Sequence, residues 1–445
     1  MSKSWPKIIR DPVHNLIPFQ DTKCDRLLLD LINTREFQRL RRIKQLGMSE
    51  FVFPGANHSR FAHSIGVMHL ARQFLNRLDQ LGEKIGEEQQ TIVLSAALLH
   101  DLGHGPFSHA FEKITHENHE KRTLEIIQET STEVNKKLRE WDRKLPDHLV
   151  QFFDQNVGGK GTLPPYLVGI VSSRMDADRF DYLIRDGYAT GTNYGKFDPN
   201  WLILHSYPDK KNGRLYLGNK ALMATEAYIF ARHHMYQSVY FHKTTRAAEV
   251  ALRLLFKRFK ERLDAGSKKE KAALTPGAPA SVVEAFAGKI NLGTFLRLDD
   301  HSITEFVKSC EFSGDEVLKR LGSSLLNRHL LKSVDATEAN GDQVANFKAD
   351  ALALFKKHRS LNADFQFADD TPGDTPYKPY DFEQERPSSM IWVEDLSGKQ
   401  HELSQLSDQV LALRKKKTLV RYYFPEVLRD EIKVLAVKHL GKVAS

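Results

Sequence analysis

The sequence predicts a mostly α-helical protein, with a β-hairpin inserted into a helical core and a smaller α+β region at the C-terminal end. Three observations support this fold class. Apolar residues recur at helical spacing over much of residues 36–263. Two short apolar runs flank Asn212 and Gly213, a dipeptide typical of hairpin turns. Other strand-like runs occur late in the chain, in "MIWVEDLSGKQHEL" and "KTLVRYYFP".

The N-terminal half reads as a series of helices. Residues 1–35 form an extended or looped lead-in, and residues 36–48 have helical spacing. A loop then leads into a long helix in "FVFPGANHSRFAHSIGVMHLARQFLNRL". The stretch "EEQQTIVLSAALLHDLGH" predicts another helix, and Pro106 ends this region because proline cannot continue the hydrogen-bond ladder. Helices are also predicted at residues 117–157 and in "YLVGIVSSRMDADRFDYLIRDGYATG".

The predicted hairpin joins "WLILHSY" to "RLYLG", and a long helix at residues 219–263 follows it. Residues 265–282 are rich in glycine, proline and lysine and are the best candidate linker, since this composition disfavours regular structure. The linker divides the chain into a core domain at residues 1–264 and an α+β region at residues 283–445, with further helices before its strands. We expect the second region to serve in assembly or regulation.

Composition indicates a soluble globular protein, with 41% hydrophobic and 27% charged residues. The longest apolar run, "TIVLSAALL", is far shorter than the roughly 20 residues that a membrane span needs. The N-terminus lacks an apolar signal core. The two cysteines, Cys24 and Cys310, have no metal or redox spacing, which makes a disulfide framework unfavourable. We therefore expect a cytoplasmic protein without membrane contact.

The charge balance indicates anionic partners. A net charge of +8 suits nucleotides, polyphosphates or nucleic acid, although an ordinary solvated basic surface gives the same value. The 19 histidines are a more specific signal, because most of them lie in the N-terminal half.

Four residues form a candidate metal site: His63, the adjacent pair His100 and Asp101, and Asp178. Imidazole nitrogens and carboxylate oxygens without a thiolate suit a divalent transition metal. Each residue lies at or near the end of an apolar helical segment, so packed helices can direct all four inward. The alternative is that each histidine is a core or surface residue. That alternative is weak for "HDLGH" directly after "SAALL", because burying so much polarity without a partner is costly.

Three strings extend this observation: "NHSRFAHSIGV", "ALLHDLGHGPFSHAFE" and "DADRFDYLIRD". Together they resemble the HD-domain phosphohydrolases and, more narrowly, the deoxynucleoside triphosphate (dNTP) triphosphohydrolases. The resemblance runs from "IIRDPVH" at residue 8 to about residue 250 and includes "EFQRLRRIKQLG" and "VYFHK". It implies that the helical core is an HD domain and that the protein is an enzyme.

The resemblance also implies residue roles. A divalent ion (Mn, Mg, Fe, Co, Ni or Zn) is held by His63, His100, Asp101 and Asp178. Proton transfer and positioning of water fall to His104, His109, Glu112 and His116. The triphosphate is held by Arg60, Arg179, Arg232 and Lys243. The sugar and its surroundings are contacted by Tyr182, Asp186, Gln45, Leu46, Tyr240 and His242.

The chemistry of hydrolysis at phosphorus fits these residue types. Such a reaction needs a Lewis acid, an activated water, cations for the spreading negative charge and an acid for the leaving oxygen. We assign the acid to His109, with Glu112 and His116 setting its proton state. Tyr182 is expected to close the space where a ribose 2′-hydroxyl would sit.

The sequence departs from the family pattern at three positions. Glu112 stands where aspartate is frequent, and glutamate can take the same part. Asn33 stands where activator-controlled members carry an aspartate that binds guanine, and Leu16 replaces a polar residue. An activating nucleotide site is still expected at a subunit interface, with no commitment to guanine, from Lys7, Asn33, Gln38 and Arg41. A homo-oligomer, dimer or tetramer, follows from this expectation.

Three functions stay open at this point. The favoured one is metal-dependent hydrolysis of dNTPs at the α-phosphate, giving deoxynucleoside and triphosphate. The second is another HD phosphohydrolase, acting on single-stranded nucleic acid or a signalling nucleotide, which basic runs such as "LRKKKTLVRYY" favour. The third is a non-catalytic nucleotide-binding regulator. Tyr182 and Asp186 favour the first, because reading a deoxyribose serves no purpose for a signalling nucleotide.

Overall fold

The computed structural model describes residues 5–156, 161, 163–266, 274–288, 290–358, 360–374, 390–414 and 417–441. The chain begins with an antiparallel hairpin in which Lys7 lies opposite Phe19 and Asp11 lies opposite Asn15. Its strands are β1 (Lys7–Asp11) and β2 (Asn15–Phe19). The predicted looped lead-in is therefore a hairpin followed by a helix.

Helices make up most of the next two hundred residues. They are α1 (Lys23–Ile32), α2 (Arg35–Arg39), α3 (Arg60–Gln80), α4 (Glu87–Leu99), α5 (His109–Thr115), α6 (His119–Gln128), α7 (Glu133–Trp141), α8 (Leu145–Asn156), α9 (Pro165–Val168), α10 (Ala177–Thr190) and α11 (Pro199–Leu204). Side-chain oxygens of Ser59 and Asp176 cap α3 and α10 by accepting the amides of Ala62 and Arg179. These two caps fix where two of the site-bearing helices begin.

Helix α4 is the centre of this bundle. Every residue from Thr91 to Leu99 is buried, and the helix packs against α1, α3 and α8. A helix that is apolar on all sides must be surrounded by other elements. Its last turn therefore delivers His100 and Asp101 into the interior rather than to the surface.

The predicted hairpin is confirmed in shorter form, as β3 (Ser206–Asp209) and β4 (Arg214–Leu217). Gly213 has the positive φ of +64° that its turn requires. The expectation that "WLIL" is a strand is wrong, because Pro199 and the Asp198 cap, which accepts the Trp201 amide at 2.9 Å, start helix α11 there.

The single helix predicted at residues 219–263 is also wrong. It is divided into α12 (Leu222–Met235), a π-helical turn (Tyr236–Tyr240) and α13 (Lys243–Ala265). A new helix begins after His242, because its Nδ1 caps α13 by accepting the backbone amide of Thr244 at 3.2 Å. Such π turns are frequent at functional sites.

The remaining elements form the α+β region expected from the sequence. Its helices are α14 (Ala280–Ala287), α15 (Leu292–Leu296), α16 (Asp300–Ser309), α17 (Glu316–Leu326), α18 (Gly341–Lys357), α19 (Ala363–Gln366), α20 (Leu403–Leu406), α21 (Asp408–Ala412) and α22 (Arg429–Leu440). Its strands are β5 (Lys332–Asp335), β6 (Ala368–Asp370), β7 (Gly373–Asp374), β8 (Trp392–Glu394), β9 (Gln400–Glu402), β10 (Lys417–Thr418) and β11 (Arg421–Phe424).

The sheets are small and join distant parts of the chain. Strand β4 pairs in parallel with β8, with Leu217 opposite Val393, so both predicted hairpins share one sheet in the order β3-β4-β8-β9. Another sheet has the order β5-β11-β6, and β7 pairs with β10. The fold class is confirmed as mostly α, with a helical core and small sheets.

One large apolar core runs through the molecule and continues past the predicted linker. Val282 and Phe286 of α14 belong to it, and the Phe286 ring lies 4.9 Å from that of Phe256 on α13. A second, smaller core lies between α18, α22 and strands β5 and β11. Part of the predicted linker falls outside the described residues, and the domain bounds stay a prediction. Among the described residues, no helix is both long and apolar enough to cross a membrane.

Candidate active site

The structure brings the four predicted metal ligands together from three helices. His63 lies on α3, His100 and Asp101 follow α4, and Asp178 lies in the first turn of α10. Nε2 of His63 is 3.0 Å from Asp178 Oδ1 and 3.8 Å from Asp101 Oδ2. Nε2 of His100 is 3.3 Å from Asp101 Oδ1 and 3.6 Å from Asp178 Oδ1. We call these four residues the metal half-site.

Both imidazoles are oriented through their other nitrogen. Nδ1 of His63 lies 2.8 Å from Asp181 Oδ2, and Nδ1 of His100 lies 2.9 Å from the carbonyl oxygen of Ala97. Each Nδ1–H therefore donates outward, which leaves the Nε2 lone pair for a cation. Nε2 of His100 is buried without a hydrogen-bond partner. A buried nitrogen of this kind needs a partner that the protein does not supply, and a metal fits that need.

Asp181 links the metal half-site to the N-terminal hairpin. Besides His63, its carboxylate binds His14 Nε2 at 2.6 Å and Arg185 Nε at 2.8 Å. The guanidinium of Arg185 also donates to Asp11 Oδ2 at 2.8 Å. A Cβ at Gly66 would stand 1.9 Å from Asp181 Oδ1, so glycine is needed there for this carboxylate to approach α3. The pairing of Asp181 with Arg185 was foreseeable from their i, i+4 spacing.

The electrostatics of the metal half-site favour positive charge. Burial alone would lower the pKa of His63, but its hydrogen bonds with Asp178 and Asp181 raise that pKa to about 10. Burial would likewise raise the pKa of Asp101, yet His100 and Arg60 hold it well below its usual range. A divalent cation held here would balance the charge of the same carboxylates. Donor types, geometry and charge all fit a divalent metal ion.

A second cluster also includes a contact with Asp101. His104 Nε2 is 3.2 Å from Asp101 Oδ1, and the His104 ring stacks on His119 with centroids 4.0 Å apart. Nδ1 of His119 is 3.0 Å from Glu112 Oε1, and Nδ1 of His104 is 3.9 Å from the same oxygen. Burial, then the charge of Arg60, lower the pKa of His104 to about 3, so this imidazole is neutral at pH 7. We call His104, Glu112 and His119 the proton half-site.

His119 was missed by the sequence analysis, which assigned His116 to this cluster. The structure does not bring His116 there, because this residue ends α5 in the left-handed conformation, with φ +58°, and is exposed. The chain then reverses, and His119 starts α6 against His104. The string "HENHEK" contains both histidines, so the sequence indicated a histidine in this cluster but did not distinguish His116 from His119. His109 is the first residue of α5, and its side chain lies outside the described residues.

The predicted phosphate-binding cations lie at different distances from the two half-sites. Arg60 is buried, donates to Asp101 and places Nη2 3.1 Å from Ser108 Oγ. Arg179 pairs with Asp176 beside the metal half-site. Arg232 lies over the Tyr236 ring at 4.7 Å, and Lys243 is exposed at the start of α13.

The predicted sugar-side residues meet around Asp186. Its Oδ2 accepts the hydroxyl of Tyr240 at 2.8 Å, and its Oδ1 lies 2.7 Å from Nε2 of His58. The Tyr182 ring stands 6.4 Å from that of Tyr240. Burial raises the pKa of both tyrosines well above its usual range, so both phenols stay neutral and can donate hydrogen bonds.

His58 is a second residue that the sequence analysis missed. Its carbonyl oxygen accepts the Gln45 amide at 3.0 Å while its ring holds Asp186, so it joins two predicted sugar-side residues. The side-chain oxygen of Gln45 is buried without a hydrogen-bond partner, and Leu46 is half-buried. The ring of His242 packs on Phe53 at 5.8 Å.

The residues predicted for an activating nucleotide lie on the hairpin (Lys7), at the C-terminal end of α1 (Asn33), on α2 (Gln38) and in the 3₁₀ turn after it (Arg41). Arg41 Nε donates to Gln38 Oε1 at 2.8 Å, and Gln38 Nε2 donates to the carbonyl oxygen of Ile32 at 2.7 Å. The amide of Asn33 donates to the carbonyl oxygen of Leu29 at 2.8 Å. Lys7 lies on β1 with its ammonium 5.5 Å from the Trp5 ring.

Comparison with known proteins gives this arrangement a family. Residues 60–177 match the HD domain, and residues 204–275 match the HD associated region. The protein YwfO of Bacillus subtilis is 35% identical over 426 residues, which cover 96% of this chain and 93% of YwfO. The crystal structure of a phosphohydrolase from Bacteroides thetaiotaomicron superposes with a TM-score of 0.80 at 28% identity, covering 95% of this chain and all of that one.

A relative with a named activity is more distant. The deoxynucleoside triphosphate triphosphohydrolase SAMHD1 homolog of Dictyostelium discoideum is 28% identical over 366 residues, covering 79% of this chain and 64% of that protein. The helical core holds a group of side chains, His63, His100 and Asp101, that could bind a metal ion, as expected of a hydrolase with an HD domain. The chain belongs to the HD-domain phosphohydrolases.

Proposed function

We propose that the protein is a metal-dependent dNTP triphosphohydrolase, which converts a dNTP to a deoxynucleoside and triphosphate. One observation carries the proposal: Asp101 contacts His63 and His100 of the metal half-site and also His104 of the proton half-site, with His100 and His104 both near Oδ1. A cation site and a proton-handling site therefore lie close enough to act on one phosphate. The relative named as a dNTP triphosphohydrolase supports the choice of substrate.

In this reaction a water oxygen bonds to the α-phosphorus, and the bond from that phosphorus to the sugar 5′-oxygen breaks. The leaving 5′-oxygen takes up a proton, and the water gives up its own. A divalent metal held by His63, His100, Asp101 and Asp178 supplies Lewis acidity at the α-phosphate when it is bound. The protein's own residues orient the phosphate and manage both protons.

The proton half-site is suited to accept the water's proton. His104 donates its Nε2–H to Asp101, so its Nδ1 lone pair faces Glu112, which His119 also contacts. Neighbouring carboxylate and imidazole groups can hold one shared proton and pass it on. The proposed donor to the 5′-oxygen remains His109, the first residue of α5.

Substrate orientation is assigned to the two flanks of the site. Arg60, already bonded to Asp101 and Ser108, is placed to neutralise a phosphate oxygen, and Arg179, Arg232 and Lys243 are proposed to hold the β- and γ-phosphates. Asp186 and Tyr240 are proposed to bind the sugar. Tyr182, packed beside Tyr240, is proposed to exclude a 2′-hydroxyl.

The test is a panel of dNTPs, NTPs and single-stranded DNA, each incubated with Mn, Mg, Co or Fe and assayed for inorganic triphosphate. Triphosphate and deoxynucleoside should appear in equal amounts from dNTPs and far more slowly from NTPs. In water enriched in ¹⁸O, the label should enter the triphosphate and not the deoxynucleoside, because attack is at phosphorus. Cleavage of DNA with no triphosphate from any dNTP would overturn the proposal.

We also propose an activating nucleotide site formed by Lys7, Asn33, Gln38 and Arg41 at a subunit interface of a homo-oligomer. The contact between Arg41 and Gln38 supports a shared polar surface. A second nucleotide should then promote assembly and raise turnover, measured by light scattering beside the triphosphate assay. Hyperbolic kinetics at a constant oligomeric state would contradict this part.

A further inference from the structure

Residues 290–300, a segment far from the HD domain in sequence, are hydrogen-bonded to two loops that border the candidate active site. Residues 290–300 lie outside the two matched regions, 60–177 and 204–275. The carbonyl oxygen of Leu298 accepts from Arg39 Nε at 2.8 Å, and Asp299 Oδ2 accepts from Arg42 Nε at 2.5 Å. The segment is therefore held firmly against α2 and the turn after it.

Asp300 reaches from this segment to two loops of the site. Its Oδ1 accepts the backbone amide of Phe107 at 2.8 Å, and its Oδ2 accepts the backbone amide of Lys44 at 2.8 Å. The side chain is buried, with only 2% of the residue exposed. One carboxylate thus spans two chain segments that are more than sixty residues apart.

Each of these loops leads to a site residue. Lys44 directly precedes Gln45, a predicted sugar-side residue. The backbone beside Lys44 is also bonded to the start of α3, because Arg60 donates its backbone amide to the carbonyl oxygen of Ile43 at 2.9 Å. We call residues 44–46 the sugar-side loop. Phe107 lies in residues 105–108, the catalytic turn, which joins the proton half-site residue His104 to His109 on α5.

The catalytic turn needs an external partner to hold its shape. Phe107 and Ser108 have φ values of +47° and +29°, which side chains other than glycine rarely adopt. Such backbone persists only when surrounding contacts determine it. Two side chains from outside the turn contribute such contacts: Asp300 accepts the amide of Phe107, and Arg60 donates to the hydroxyl of Ser108.

We propose that Asp300 is a positioning residue, which holds the catalytic turn and the sugar-side loop at a fixed separation. It touches no reacting atom; it sets where the proton half-site stands relative to the sugar. This catalytic consequence rests on the proposed function, while the positioning of the two loops does not.

The sharpest variant is Asp300→Asn, because it keeps the shape of the side chain. An amide has one acceptor oxygen, so only one of the two backbone N–H groups can be satisfied, and the side-chain NH₂ faces the other donor. The matched control is Asp299→Asn at the neighbouring position. Asp299 caps α16 by accepting the Ser302 amide at 2.9 Å, and asparagine caps helices equally well. The control replaces a carboxylate at the same helix end that accepts no amide of either loop, although it weakens the contact of Asp299 with Arg42.

Two measurements on the full chain test the proposal. Backbone hydrogen exchange is followed in peptides that contain residues 44–46 and 105–108, and kcat and KM are taken from triphosphate release. Asp300→Asn should speed exchange in at least one loop and lower kcat by about 10- to 100-fold, as displacements near 1 Å do. Asp299→Asn should change both much less than Asp300→Asn does, because it loses only the ion pair with Arg42. Unchanged exchange in both loops, or an equal kcat loss in Asp299→Asn, would overturn the proposal.

The two arms separate this proposal from the proposed function. If the unmodified protein releases no triphosphate from any dNTP, the proposed function fails, and hydrogen exchange alone still decides the role of Asp300. Should Asp300→Asn not fold, Asp300→Glu is measured instead; it keeps both acceptor oxygens but is one methylene longer. Glutamate should retain the fold and shift exchange and kcat in the same direction, and values equal to those of the unmodified protein would refute the positioning role.

Discussion

The two half-sites differ in how the protein holds them. The metal half-site stands on three long or fully buried helices, and its imidazoles are oriented by Asp181 and a backbone carbonyl. The proton half-site lies on either side of a turn with unfavourable φ and of α5, a helix of only seven residues. A rigid helical scaffold therefore positions the metal half-site, whereas the proton half-site depends on a turn whose Phe107 amide is bound by the distant carboxylate of Asp300.

The largest effect is expected at the residue that the half-sites share. Asp101→Asn removes a predicted metal ligand and leaves the buried Arg60 without its carboxylate. Loss of metal and a fall in activity of well over 100-fold should follow, since even groups behind the ligands contribute about 10- to 100-fold. Metal content by mass spectrometry and triphosphate release measure both. Full activity with bound metal would refute the metal half-site.

The next effect separates His119 from His116. His119→Ala should lower kcat by about 100-fold or more, the usual contribution of acid–base groups, and leave metal content unchanged. His116→Ala tests the residue predicted from the sequence, which is exposed in the structure. A large loss in His116→Ala with little change in His119→Ala would reverse the assignment.

A smaller effect, on metal affinity, is expected from Asp181, which contacts His63 but is not itself a predicted metal ligand. Asp181→Asn weakens the partner of His63 Nδ1, so the correct tautomer and ring orientation are no longer enforced. Metal affinity should fall by about 10- to 100-fold in a competition titration with a chelating dye. Asp25→Asn is the matched control, because this buried carboxylate accepts the Gln20 amide and binds Arg72 instead. Equal metal affinity in both variants would show that Asp181 does not support the site.

The smallest effect concerns stability and pH at Asp300. Burial raises the pKa of this carboxyl from 3.8 to about 6, against the backbone amides of Lys44 and Phe107. Because the folded pKa is the higher one, its stabilising contribution is complete below about pH 4 and is lost as the pH rises through about 6.

This pH dependence is measured as a difference. Free energies of unfolding are compared between the unmodified protein and Asp300→Asn from about pH 4 to 7. The unmodified protein should lose stability relative to the variant across this interval, because asparagine does not titrate. A difference that is constant with pH would show that Asp300 keeps an ordinary pKa.

Prediction from sequence succeeded where local pattern was sufficient. The apolar run from Thr91 to Leu99 predicted a core helix, which ends at Leu99 rather than close to Pro106, and the hairpin turn at Asn212 and Gly213 was recognised from the dipeptide. Prediction from sequence failed where an apolar stretch is compatible with more than one kind of secondary structure. "WLIL" forms a helix because Asp198 caps it, and the path from α12 to α13 bends at a π turn that apolar spacing does not reveal.

The sequence by itself determined the helical core, the family and the donor types of the metal half-site, because apolar spacing and residue chemistry are local properties. Only the tertiary structure decided that His119 rather than His116 stacks on His104, and that His58 holds Asp186. It also decided that Asp300 binds the amide of Phe107, 193 residues away in the chain. Such contacts depend on how α5, α6 and α16 are placed against one another, and hydrogen bonds across that distance leave no periodic trace in the sequence.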